Sequence, residues 1–162
     1  MRLKRRRNLW KGFLAGALGG LAGSFAMSQF HALLPKSETA PPEQKEDSTV
    51  KAASALSQGI FSCELTAQQK KIAGPVVHYS FGTGVGAIYG IAVEFAKPGC
   101  TGWGIPFGAA VWLGAHVIAV PALGFSEPVM QSAPLMEAAE FSAHLVYGTI
   151  AESLRYVLVG RG

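Results

Sequence analysis

Leu135–Leu158 reads LMEAAEFSAHLVYGTIAESLRYVL, and its polar and small residues return at Glu137, Glu140, His144, Gly148, Glu152 and Arg155. Steps of three and four place all six on one stripe of an α-helix. The other faces carry Phe141, Leu145, Val146, Ile150, Leu154 and Val157. In water that pattern would turn the apolar majority toward solvent. In a bilayer it describes a lipid-facing exterior with a polar seam against neighbouring helices.

The composition points the same way. Charged residues make up only 15% of the chain and the mean hydropathy is +0.28, too apolar for an ordinary soluble domain. Glycine, at 20 of 162 residues, suits helices that pack closely in lipid. The net charge of +4 is concentrated in Arg2, Lys4, Arg5, Arg6 and Arg7, directly before an apolar run. The preference for positive charge on the cytoplasmic side explains that placement without nucleic acid. The lipid bilayer is therefore the expected partner, and nucleic acid is not. Cys63 and Cys100 fall on opposite sides of the topology given below, so they are not expected to pair. They offer no zinc spacing either.

Outward from the closing segment, the chain divides into a basic cytoplasmic N-terminus at 1–11 and a first transmembrane helix at 12–34. An outer loop at 35–71 follows, carrying a short amphipathic surface helix from Val50 to Leu65. Transmembrane helices two, three and four occupy 72–96, 103–124 and 135–158, with a second outer loop at 125–134. The first apolar run resembles a signal peptide, but it is about twice a typical h-region and no A-x-A site follows, so a retained helix is expected. Thr66-Ala-Gln-Gln69 has the form of a capping box. Pro75 falls in the first turns of its helix, and Pro121 is expected to bend or fray the last turn of the third. Lys97, Arg155, Arg161 and the basic tip gather on one side, which puts both termini in the cytoplasm. The expected fold is an all-α membrane protein, a four-transmembrane-helix bundle. Its least secure span is the last, whose uncharged centre runs only from Phe141 to Ala151.

His78-Tyr-Ser-Phe-Gly-Thr83 and His144-Leu-Val-Tyr-Gly-Thr149 share the form H-x-x-[FY]-G-T. With Gly16 aligned to Gly108, they suggest two similar helix hairpins related by an axis along the membrane normal. Gly82 and Thr83, and likewise Gly148 and Thr149, then mark helix-packing positions. Glycine four residues after histidine lets a neighbour approach and accept the imidazole's hydrogen bond.

The chain's four histidines, 31, 78, 116 and 144, all fall toward one end of the expected bundle, one per helix. His78, His116, Glu140 and His144 form the candidate polar site, with Glu140 and His144 one turn apart and able to pair directly. Histidine titrates near neutral pH, so the cluster is a candidate proton-responsive site. Glu152 and Arg155 read as a local ion pair. Trp10 and Trp103 read as interface anchors. Gly82-Thr-Gly-Val-Gly86 follows no strand and is not a phosphate loop. No nucleophile–base arrangement is visible, and neither an H-x3-H pair nor a haem attachment motif occurs. An enzyme, a cofactor and a metal are accordingly not expected.

The run His116-Val-Ile-Ala-Val-Pro-Ala-Leu-Gly124, then Glu127-Pro-Val129, Glu140 and His144-Leu-Val-Tyr147, resembles the YagU-like family of small bacterial inner-membrane proteins. The likeness extends from about Ala73 to Arg155 and includes His78 and Glu94-Phe95. It implies a polytopic inner-membrane protein without an established activity, with His116, Pro121, Gly124, Pro128, Glu140 and His144 as the positions to test. Glu127 stands where the family more often has proline, and the aromatic run after the fourth-helix histidine is missing. The preferred function is a small proton-responsive conduit or transporter subunit, with a homo-oligomer compatible with it. The alternatives are a non-catalytic accessory or assembly protein and a haem- or metal-binding membrane protein.

Overall fold

The computed structural model describes residues 8–34, 47–96, 101–126, 130 and 132–160. The basic tip, the Pro41-Pro42 stretch, Lys97-Pro98-Gly99, Cys100 and Glu127–Val129 lie outside the described residues. The described chain is helical, without strands: α1 (Leu9–Leu33), α2 (Ser48–Phe61), α3 (Ala67–Val93), α4 (Ile105–Val111), α5 (Val120–Ala122) and α6 (Pro134–Val159). A short 3-10 turn at Gly102–Gly104 leads into α4, and a wider π-helical stretch, Trp112–Ala119, joins α4 to α5. Together these make one third helix, Gly102–Ala122.

Three of the helices are long and apolar enough to cross a membrane: Leu9–Leu33, Ala67–Val93 and Gly102–Ala122. α6 has 26 residues, as many as a span needs. Its three glutamates, its arginine and His144 keep its hydropathy below theirs.

Local signals explain the boundaries. Asn8 caps α1 by accepting from the Lys11 amide at 3.1 Å. Asp47 caps α2 through the Thr49 amide at 2.9 Å, and α2 stops where Ser62 turns left-handed, with φ 51°. It therefore ends before Leu65. The Thr66/Gln69 capping box forms in both directions: the Thr66 amide donates to Gln69 Oε1 at 2.8 Å, and the Gln69 amide donates to Thr66 Oγ1 at 3.3 Å. The box opens α3 at Ala67, and Pro75 lies inside the helix.

α1 is the element against which the others assemble. Its Gly12, Gly16 and Gly20 meet Gly90, Gly86 and Gly82 of α3, running antiparallel. A Cβ on Gly12 would stand 2.6 Å from the Gly90 carbonyl oxygen. A second face of α1, Gly19 and Gly23, meets the Ala151 and Tyr147 backbone of α6, again antiparallel. On the far side of α6, Gly148 meets Gly104 and Gly108 of the third helix. In lipid, such contact is driven by van der Waals fit between backbones, since apolar burial supplies little between helices. α2 lies against α3, with Val50 over Gly74.

The repeat needs correction. Gly82 packs on Gly20, whereas its counterpart Gly148 packs on Gly104. Gly20 therefore corresponds to Gly104, not to Trp112 as the Gly16–Gly108 alignment requires. Aligned glycines were a poor guide because both helices carry glycine on several turns.

Backbone contact gives a direct test. Gly86→Val should lower stability by roughly 1–3 kcal/mol through overpacking. Gly84, beside which a Cβ would meet nothing within 4 Å, should tolerate alanine or gain about 0.5–1 kcal/mol. Thermal unfolding of both variants in detergent checks the contrast; equal effects would mean that the α1–α3 seam is not where the helices touch.

Candidate functional site

The polar stripe of α6 turns inward. His144, Gly148, Glu152 and Arg155 are buried, while Glu137 and Glu140 are half-buried nearer the helix start. Because α1 and the third helix run antiparallel to α6, the start of α6 faces the ends of both. Histidine and carboxylate from separate helices meet there.

His116 Nε2, on the π-helical stretch, donates to Glu137 Oε2 at 3.0 Å. His31 Nε2, from the last turn of α1, stands 3.6 Å from Glu140 Oε2. His144 Nδ1 donates to the Glu140 backbone carbonyl at 2.8 Å. Its ring centroid lies 6.0 Å from that of His116. His78 Nε2 donates across the helix interface to the Ser24 carbonyl at 3.3 Å.

One expected pairing is corrected. The Glu140 carboxylate does not meet His144; it reaches toward α1, because the imidazole one turn on is already satisfied by the Glu140 carbonyl. His116 pairs with Glu137, one turn nearer the start of α6. His31, which the expected site omitted, takes part, and Glu137 joins with it. Both lay on the right faces by helical spacing, but only the register between helices brings them together. With Nδ1–H of His144 held by a carbonyl, a neutral ring keeps its lone pair on Nε2, the nitrogen that accepts a proton.

The packing residues divide. Gly82 and Gly148 are buried at helix crossings, with Thr83 and Thr149 half-buried beside them. Tyr147, buried at 3% exposure, donates to the Gly82 carbonyl at 2.6 Å. Its counterpart Phe81 is exposed, so the two H-x-x-[FY]-G-T motifs do different work.

Below the histidines lies an aromatic layer. Phe107 stacks on Tyr89 with centroids 3.9 Å apart and tilts against Tyr147 at 5.6 Å. Beyond it, toward the start of α1, Arg155 binds Glu152 through both oxygens, Nε to Oε2 at 2.6 Å and Nη2 to Oε1 at 2.8 Å. Arg155 is 1% exposed. Glu94 is buried close by and accepts from the Asn8 amide at 3.2 Å. This is the expected local ion pair, and it closes the interior at that end. Among the described residues, no group of three histidine, cysteine or acidic side chains is placed to hold a metal.

Three apolar spans and an interior polar seam define an all-helical protein fitted to a membrane. The chain belongs to a protein family of unknown function, DUF1440, whose model matches residues 34–153; it is the family that includes the YagU-like proteins. The match takes in the outer loop and α2, which the resemblance from Ala73 onward did not reach. No curated protein matches the chain, and no solved structure does.

The buried pair yields a double-mutant test. Arg155→Met alone leaves the Glu152 carboxylate buried without its cation, at a cost of roughly 3–5 kcal/mol. Replacing Glu152 by Leu as well should restore most of that stability. Unfolding in detergent reads both; a single variant as stable as the parent would show that Glu152 is solvated.

Proposed function

We propose that the protein is a four-helix integral protein of the bacterial inner membrane with both termini cytoplasmic, and that it acts as a proton-responsive subunit of a small transporter or conduit. The observation that carries this reading is the meeting of His31, His116 and His144 with Glu137 and Glu140 from three separate helices. Ionisable residues within a membrane are functional candidates by default, and histidine–carboxylate pairs change charge within the physiological range.

Support for the topology comes from the antiparallel packing of α6 against α1 and the third helix. If the other three helices cross, α6 has the length to cross with them, and its charges have partners that spare them contact with hydrocarbon. α2, with Leu56 and Ile60 exposed, suits a surface helix at the headgroup level. Glycine contact closes the seams of α1 with α3 and α6. A translocation path therefore belongs beside the third helix, whose Trp112–Ala122 stretch buries no residue, and a second copy would complete it. An accessory role is favoured by one different observation: Glu152 and Arg155 are bound to each other through two hydrogen bonds inside the protein.

Two measurements decide. In proteoliposomes, His116→Gln and Glu140→Gln should each lower or abolish pH-dependent flux while insertion and folding persist. Flux identical to the parent would leave the accessory role. Cys63, which is exposed, should react with a membrane-impermeant maleimide from outside and Cys100 only from inside; the reverse labelling would overturn the orientation.

A further inference from the structure

The third helix is not uniform. Over Trp112–Ala119 its hydrogen bonds widen, so that the Val120 amide donates to Ala115, five residues back. The next donor in that register would be Pro121, which has no N–H. The His116 carbonyl is thus denied that bond, and the α-register alternative fails the same way at Val117. Neither winding completes its ladder here. π-helical turns are frequent at functional sites.

The stretch is also thinly held. None of its residues is buried, and a Cβ on Gly114 would meet nothing within 4 Å. Its ties to α6 are the His116–Glu137 bond, the Trp112–Phe141 edge contact with centroids 5.0 Å apart, and the approach of His116 to His144.

Resting on the proton-responsive reading of this cluster, we propose that the π-helical stretch Trp112–Ala119 is its moving part and the His116–Glu137 bond is the latch that holds it against α6. A protonated imidazole gives a charge-assisted bond to the carboxylate, about twice as strong as the neutral one. Acidification through the histidine range therefore closes the latch, and neutral or alkaline pH loosens it. The surrounding groups set the limits. Glu137 faces His116 directly, and His144 stands beside it on α6. Glu140 of α6 stands 3.6 Å from His31 of α1, and His78 of α3 is held by the Ser24 carbonyl. Two carboxylates can balance two imidazolium ions. Positive charge on the cluster beyond that would add only repulsion.

The test uses the full chain in liposomes, with Cys63 and Cys100 replaced by serine and a nitroxide label at Gly114→Cys or, in a second preparation, at Leu113→Cys. Label mobility should fall between about pH 8 and about pH 6, the range in which histidine titrates. His116→Gln and Glu137→Gln should each abolish that response and leave the label mobile at both pH values. Pro121→Ala, which supplies the missing N–H, should also flatten it. A parent label equally mobile at both pH values, or a response that survives both latch variants, overturns the proposal. If pH-dependent flux persists while the label stays still, the latch alone fails; a moving label without flux sustains the latch and removes transport.

Discussion

Backbone contact between glycines is the constraint from which the rest of the structure follows. α1 offers glycine on two faces, and each receives a different helix: Gly12, Gly16 and Gly20 receive α3, while Gly19 and Gly23 receive α6. At these separations no side chain fits between the helices, so register cannot slip by a residue without a clash. That fixed register is what sets His78 on the Ser24 carbonyl and Tyr147 on the Gly82 carbonyl. The polar groups of the interior need partners in a medium that supplies none, and tight helix crossings bring those partners within reach.

The interior is graded along the helices. A histidine–carboxylate cluster occupies one end, an aromatic layer of Tyr89, Phe107 and Tyr147 the middle, and a locked Arg155–Glu152 pair the other end. The two ends differ in chemistry as well as place. Arginine stays charged at any ordinary pH, so its pair is permanent. Histidine exists in neutral and charged forms, so its contacts with Glu137 and Glu140 are not fixed ion pairs in the same sense.

Much of this was legible in the residues. The stripe from Glu137 to Arg155 announced which side of α6 faces inward, because a period of 3.6 survives in any environment. The Thr66–Gln69 cap could be read directly, since both of its bonds are local. The partners of the polar groups could not. Whether Glu140 meets His144 or His31 depends on how α1 and α6 slide against each other, and spacing along one helix is silent on that. The π-helical stretch left one trace, Pro121 five residues after His116, which pointed to a bend and not to a change of winding. Glycine periodicity misled the hairpin alignment, because α1 carries more glycine than any one interface uses.

The two faces of α1 also bear on the order of assembly. Its partner α3 follows closely along the chain, whereas α6 begins a hundred residues after α1 ends, at Pro134 against Leu33. During synthesis the face formed by Gly19 and Gly23 must wait until α6 emerges. For a helix that crosses a membrane, lipid displaced from such a groove is part of what drives a late partner home, and the bilayer is then a temporary partner before it is a solvent.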